Sequence, residues 1–182
     1  DHIAEVGRGV DPTPELCDEL DNDCDGSIDN NITGDQYEPN NTCNAAADLG
    51  YVIEDQGKMA FHGSMFPDAD TDWFTIIADE LGGFCWPGSD EGPYNITITL
   101  KDIPQGSDYD LCVWSEDAVT GCGDAAINDT GPCEELGIWK ANNDPETYTY
   151  QWPGECASSD QRVFYVKVIN YFFNDSFDCY PY

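Results

Sequence analysis

Apolar and polar side chains alternate without a break through residues 94–100, Tyr-Asn-Ile-Thr-Ile-Thr-Leu. Successive side chains of a strand point to opposite faces, so this segment reads as a half-buried β-strand. Residues 147–152, Thr-Tyr-Thr-Tyr-Gln-Trp, alternate in the same way. Two further segments are apolar almost throughout, 73–77 (Trp-Phe-Thr-Ile-Ile) and 163–169 (Val-Phe-Tyr-Val-Lys-Val-Ile). Their β-branched and aromatic content suits central strands. Residues 111–114 and 51–53 add two shorter apolar runs, and Gln56-Gly57, Pro87-Gly88, Gln105-Gly106 and Pro153-Gly154 supply turn signals between them. Only residues 43–49, Cys-Asn-Ala-Ala-Ala-Asp-Leu, read as helical, for a turn or two. Short strands at this spacing predict an all-β fold, a β-sandwich of jelly-roll-like form.

The pattern also divides the chain. Residues 35–182 carry the candidate core. Residues 1–10 form a leader with one strand-like patch from Ile3 to Val6. Residues 11–34 are acidic, contain two cysteines and have almost no hydrophobic content, so burial alone cannot fold them. Such a segment needs a metal, a disulfide or both.

Composition sharpens this picture in three ways. Hydrophobic residues make up 40% of the 182, so a real core can be buried and disorder is excluded as the general state. The charge is extreme, with 37 Asp and Glu against 6 Lys and Arg and a net charge of −31. Such a field repels nucleic acid and anionic membranes and favours cationic partners. Nine cysteines without a zinc-like Cys/His cluster point to an oxidising compartment and several disulfides, with one thiol left over. The start at Asp1 reads as a mature, secreted chain whose signal peptide has gone, and no apolar run approaches the ~20 residues that span a bilayer.

The sharpest chemical signal is Asp21-Asn22-Asp23-Cys24-Asp25-Gly26-Ser27-Ile28-Asp29. Side chains at positions 1, 3 and 5 of such a loop converge on one cation, glycine at position 6 permits the sharp turn, and the next residue adds a backbone carbonyl. Asp21, Asp23, Asp25, Gly26 and Ser27 take those roles, and hard carboxylate oxygens select Ca2+ over softer metals. Position 12 is Ile32 where a bidentate Glu is usual. The missing ligand is therefore sought in Asp29, in Glu15 or Asp18 upstream, or elsewhere. Cys17 and Cys24 bracket the loop and are expected to pair, as are Cys112 and Cys122 around a strand–turn segment. A second acidic run, Asp68-Ala69-Asp70-Thr71-Asp72, has carboxylates at alternate positions, so two or three of them can meet one ion. Asp108 and Asp110 read better as an acidic turn before a strand.

Two resemblances follow from these residues. Residues 14–29, Pro-Glu-Leu-Cys-Asp-Glu-Leu-Asp-Asn-Asp-Cys-Asp-Gly-Ser-Ile-Asp, resemble the MopE-type metal-binding motif of secreted bacterial proteins. From Asp35 onward the chain resembles the bacterial pre-peptidase C-terminal domain and the collagen-binding β-sandwich of secreted collagenases. That likeness rests on Glu38-Pro39-Asn40-Asn41-Thr42, Asp70-Thr71-Asp72-Trp73-Phe74, Asp108-Tyr109-Asp110-Leu111 and Tyr165-Val166-Lys167-Val168. It implies calcium ligands at Glu38, Asn40, Asn41, Asp70 and Asp72, with Asp68 a further candidate.

Weaker signals add little. Asn31, Asn40, Asn95, Asn128 and Asn174 each begin an Asn-x-Ser/Thr sequon, which an Asn- and Thr-rich β protein generates by chance. Tyr148, Tyr150 and Trp152 have the spacing of a carbohydrate-stacking platform but fit core positions better. The only histidines are His2 and His62, neither in a catalytic frame, and no phosphate loop or His-Glu-x-x-His motif occurs, so no enzymatic activity is expected. The expectation is an extracellular, calcium-binding structural protein, a filament or matrix subunit assembling with copies of itself through the leader strand. The alternative is an accessory module of a secreted hydrolase that binds a collagen-like or carbohydrate polymer.

Overall fold

The computed structural model describes residues 12–13, 21, 23–27, 34–53, 58–65, 70–79, 93–103, 109–124, 126–127, 145–154 and 160–170. The leader strand expected over residues 1–10 lies outside them. The chain divides into two compact units, Asp1–Thr33 and Gly34–Tyr182.

The second unit is all-β. Its strands are β1 (Ala47–Ile53), β2 (Thr71–Asp79), β3 (Tyr94–Leu100), β4 (Tyr109–Ser115), β5 (Glu146–Trp152) and β6 (Arg162–Asn170). Four of them form one sheet in the order β1-β2-β6-β4, and β3 pairs with β5 in a second. The apolar runs at 73–77 and 163–169 become the two central strands of the larger sheet. β1 runs parallel to β2, and the other pairings are antiparallel.

Alternation explains which residues meet. Phe74, Ile76 and Ala78 of β2 share a face with Phe164, Val166 and Val168 of β6 and with Leu111 and Val113 of β4, and all of them are buried. From the smaller sheet, Ile96, Leu100 and Trp152 join the same core, with Tyr148 and Tyr150 half-buried against it. Phe164 is the meeting point, 5.7 Å from the Tyr150 ring and 6.0 Å from that of Trp152. The three aromatics of β5 are therefore core side chains, and an exposed stacking platform is not formed. The outward positions of the smaller sheet are polar, with Asn95 opposite Gln151, Thr97 opposite Thr149 and Thr99 opposite Thr147.

The larger sheet is covered on its other face too. Trp73, Cys112 and Trp114 project there and pack with Cys43, Val119 and Ile127. The Trp73 and Trp114 rings stack at 5.5 Å, and Lys167, cross-strand partner of Trp73, lies 5.5 Å from the Trp73 ring. A buried lysine in a chain of this acidity is held by its stem packing and by the ring face as well as by charge.

Two sequence expectations are corrected here. Residues 43–49 do not form a helix. A single 3-10 turn spans Cys43–Ala45, and Ala47 already pairs with Phe74 as the first residue of β1. Ladder pairing with β2 outweighs the helix propensity of three alanines, which is only tenths of a kcal/mol per residue, roughly. Cys122 pairs not with Cys112 but with Cys43, 79 positions away in sequence. Cys112 points into the second core from β4 and is itself disulfide-bonded.

Candidate metal centre

In the first unit, Asp21, Asp23 and Asp25 each bring a carboxylate oxygen within 4.8 Å of the others. The turn that does this is built from their own acceptors. Asp21 takes hydrogen bonds from the backbone N–H of Asp25 at 3.1 Å and of Gly26 at 2.9 Å. Asp23 accepts from Asp25 N–H at 3.0 Å, and Asp25 accepts from Ser27 N–H at 2.8 Å. Gly26 sits at φ +97°, with open space where a Cβ would be, so the turn needs glycine for its backbone and not for room. Ser27 is exposed, and Asp29 lies outside the described residues. Cys24 carries a free, exposed thiol with Sγ 4.0 Å from the Asp21 carbonyl, so the expected Cys17–Cys24 bridge is not formed. Carboxylate–backbone hydrogen bonds shape this loop where a covalent staple was expected.

A second cluster lies at the start of β2. Glu38, Asp70 and Asp72 each place one oxygen within 4.8 Å of the others. Asp72 is 0% exposed and Asp70 is 7% exposed. Alternation along β2 puts Asp72 on the same face as Phe74 and Ile76, so the strand that builds the core also carries a carboxylate to its edge. Asp70 turns one oxygen back to the Thr71 N–H at 2.7 Å.

The opposing wall is the segment before the 3-10 turn. Asp35 organises it by accepting from Tyr37 N–H at 2.8 Å and from Ser64 N–H at 2.7 Å. The Tyr37 ring meets Phe74 edge-on at 5.4 Å. Asn40 is 0% exposed. Its N–H donates to Glu38 Oε2 at 3.2 Å, and its carbonyl accepts from Trp73 N–H at 2.9 Å. Asn40 is thereby locked between Glu38 on its own segment and β2. Its side-chain Oδ1 and Nδ2 are nonetheless buried without a hydrogen-bond partner, and so is Glu38 Oε1.

Such atoms are costly. A buried polar group without a partner loses roughly 1–3 kcal/mol, and more if charged. A cation removes that penalty at the two oxygens, Asn40 Oδ1 and Glu38 Oε1, because oxygens that accept no hydrogen bond keep their lone pairs for it, whereas the Nδ2 donor gains nothing from it. The clustered donors are three carboxylates, with the buried Asn40 amide on the same segment as Glu38, an all-oxygen set of the kind that hard ions such as Ca2+ prefer. Their chemistry therefore fits a resident divalent cation.

The two clusters include most of the sequence-derived ligands. Asn41 is exposed, and Asp68 lies outside the described residues. The burial of Asn40 also removes its sequon from consideration, since glycosylation needs an accessible amide. Two buried acids escaped the sequence reading, Glu146 and Asp160. Glu146 occupies the first position of β5, in the inward register of Tyr148, Tyr150 and Trp152. It accepts a hydrogen bond from Leu111 N–H and so ties the two sheets together. Extending the alternation back by one residue would have placed this carboxylate inside.

No protein-family model, curated sequence or solved structure matches this chain.

Proposed function

We propose that this is an extracellular calcium-binding structural protein, a β-sandwich whose cation site works as a fastener and not as a reaction centre. The carrying observation is two buried acceptor oxygens without hydrogen bonds, Glu38 Oε1 and Asn40 Oδ1, on the segment whose Glu38 carboxylate clusters with the buried Asp70 and Asp72. The ion would be held by Glu38, Asn40, Asp70 and Asp72 and would join the 35–41 segment to β2. In the acidic loop, Asp21, Asp23 and Asp25 would hold a second ion, with Ser27 and Asp29 as further ligands. The resemblance to collagen-binding sandwiches favours the same metal, and so do the oxygen-rich ligands of the acidic loop. The disulfide and the oxygen-only clusters suit an oxidising, calcium-rich exterior.

Equilibrium dialysis against Ca2+ tests the reading. The native chain is expected to take up calcium at submillimolar concentration, with Mg2+ a poor competitor because it resists such dehydrated, irregular shells. Asp72→Asn should abolish one component of that uptake. No uptake at millimolar Ca2+ would sink the proposal.

Self-assembly extends this reading. Bound cations would cancel part of the −31 charge that opposes packing copies together, and Ile3 and Val6 would anchor the leader on a neighbour. Deleting residues 1–10 is expected to leave a calcium-binding monomer, while the longer chain sediments as polymers in calcium. Identical sedimentation of the two would remove the assembly role.

A further inference from the structure

We infer that the Cys43–Cys122 disulfide is a positioning element of the Glu38–Asn40–Asp70–Asp72 site, so that cation binding and the state of this disulfide are thermodynamically coupled. The inference rests on the cation reading above. Of the four oxygen donors, Asp72 lies within β2 and Asp70 directly precedes it, so the central sheet fixes both. Glu38 and Asn40 lie on a segment that belongs to neither sheet. Their placement depends on what holds that segment at each end.

On the N-terminal side the anchors are the Asp35 carboxylate, bound to Tyr37 and Ser64 N–H, and the Tyr37–Phe74 ring contact. On the C-terminal side, Asn40 receives the Trp73 N–H, and three residues later Cys43 enters the second core, 3% exposed. There it is bonded to Cys122, on the loop that follows β4. That loop has its own fixed shape. Thr120 N–H and hydroxyl and Ala126 N–H all donate to the Asp124 carboxylate, which those hydrogen bonds hold below its usual pKa. Val119 and Ile127 pin the loop into the same core. The disulfide therefore links a ligand-bearing segment outside both sheets, joined to β2 by the Trp73–Asn40 hydrogen bond, to a loop about eighty residues distant.

Reduction removes this tether and little else. A dithiol supplies two electrons and two protons, leaves as its own disulfide, and yields thiols at Cys43 and Cys122. Cys122 is the more exposed of the two sulfurs, so the incoming thiolate meets it first. The apolar contacts of Cys43 survive, but the 38–43 segment gains freedom that an arriving ion must remove. Affinity falls by that ordering cost. Linkage requires the reciprocal effect, in which a bound ion disfavours reduction of the bridge by the same factor.

Two measurements test the coupling. The first compares calcium uptake of the native chain with that of the Cys43→Ser/Cys122→Ser variant, following the component that Glu38→Gln removes. Coupling predicts weaker binding in the variant by roughly five- to a hundredfold. Equal affinity overturns the inference. The second needs only the native chain. It is equilibrated in graded dithiothreitol with and without calcium, alkylated, and the Cys43 and Cys122 peptides are quantified by mass spectrometry. Calcium is expected to move the midpoint for these two cysteines to higher dithiothreitol; superimposable curves would overturn the coupling even if the variant does not fold. A native chain that takes up no calcium at all defeats the cation reading itself, whereas uptake indifferent to the disulfide defeats only the coupling.

Discussion

Transfer from millimolar calcium into EGTA is expected to lower the melting temperature of the β-rich unit by about 5–10 °C. The size follows from linkage. An ion present at a hundredfold over its dissociation constant, bound by the native state alone, stabilises by about 2.7 kcal/mol. For a chain of this size each kcal/mol moves the midpoint by roughly 2–4 °C. The structure says where the loss falls. Without an ion, Glu38 Oε1 and both polar atoms of the Asn40 side chain are buried with no hydrogen bond. Opening the 35–41 segment to water relieves them, so the first event on heating should be local. Trp73 and Tyr37 report on it separately. Tyr37 belongs to the ligand segment, while Trp73 sits at the junction with the second core. Differential scanning calorimetry with calcium, magnesium and EGTA measures the effect, and an unchanged midpoint in EGTA would refute it.

Much of the strand content was legible because the sequence patterns were strong. Residues 94–100 alternate cleanly and emerge as β3 with those same limits, while β2 and β6 come from apolar runs whose interior residues are buried on both faces of the sheet. Pairing was less legible, since it depends on contacts between residues distant in sequence. β1 lies parallel to β2, and Ala47 and Asp48 join the strand because a ladder is available beside Phe74 and Thr75. Disulfide partners are non-local for the same reason, and proximity in sequence misled twice, at Cys24 and at Cys122. For the site, alternate acids at 68–72 and the Glu-Pro-Asn-Asn segment both suggested ligands. Nothing in composition could show that these two stretches converge, because their approach is set by the Asn40–Trp73 hydrogen bond and by the Asp35 turn. Glu146 was missed because a carboxylate ahead of a strand usually faces solvent, whereas register turns this one inward.

Glu38→Gln is expected to change stability in opposite directions with and without calcium. In calcium the variant loses one charged ligand, which weakens the ion and lowers stability by about 1–3 kcal/mol. In EGTA the comparison reverses. Three carboxylates with oxygens no more than 4.8 Å apart repel one another. At an effective dielectric of about 20, each such pair costs on the order of 3 kcal/mol, reduced by whatever local hydrogen-bond donors relieve. Glutamine removes one of those charges at nearly constant volume. Its amide oxygen keeps the hydrogen bond that Glu38 Oε2 receives from Asn40 N–H. Its amide nitrogen takes the place of the oxygen that has no donor and offers hydrogens to the neighbouring carboxylates. The apo form should therefore gain roughly 1 kcal/mol or more, after the partial relief already available to the native cluster. Chemical denaturation of native and variant chains, each in calcium and in EGTA, yields the four free energies of the cycle. A purely structural carboxylate would be destabilised by the substitution in both conditions, and that result would remove Glu38 from the cation site. A crossover, with the variant less stable in calcium and more stable in chelator, is the signature of a cluster that needs an ion to be affordable.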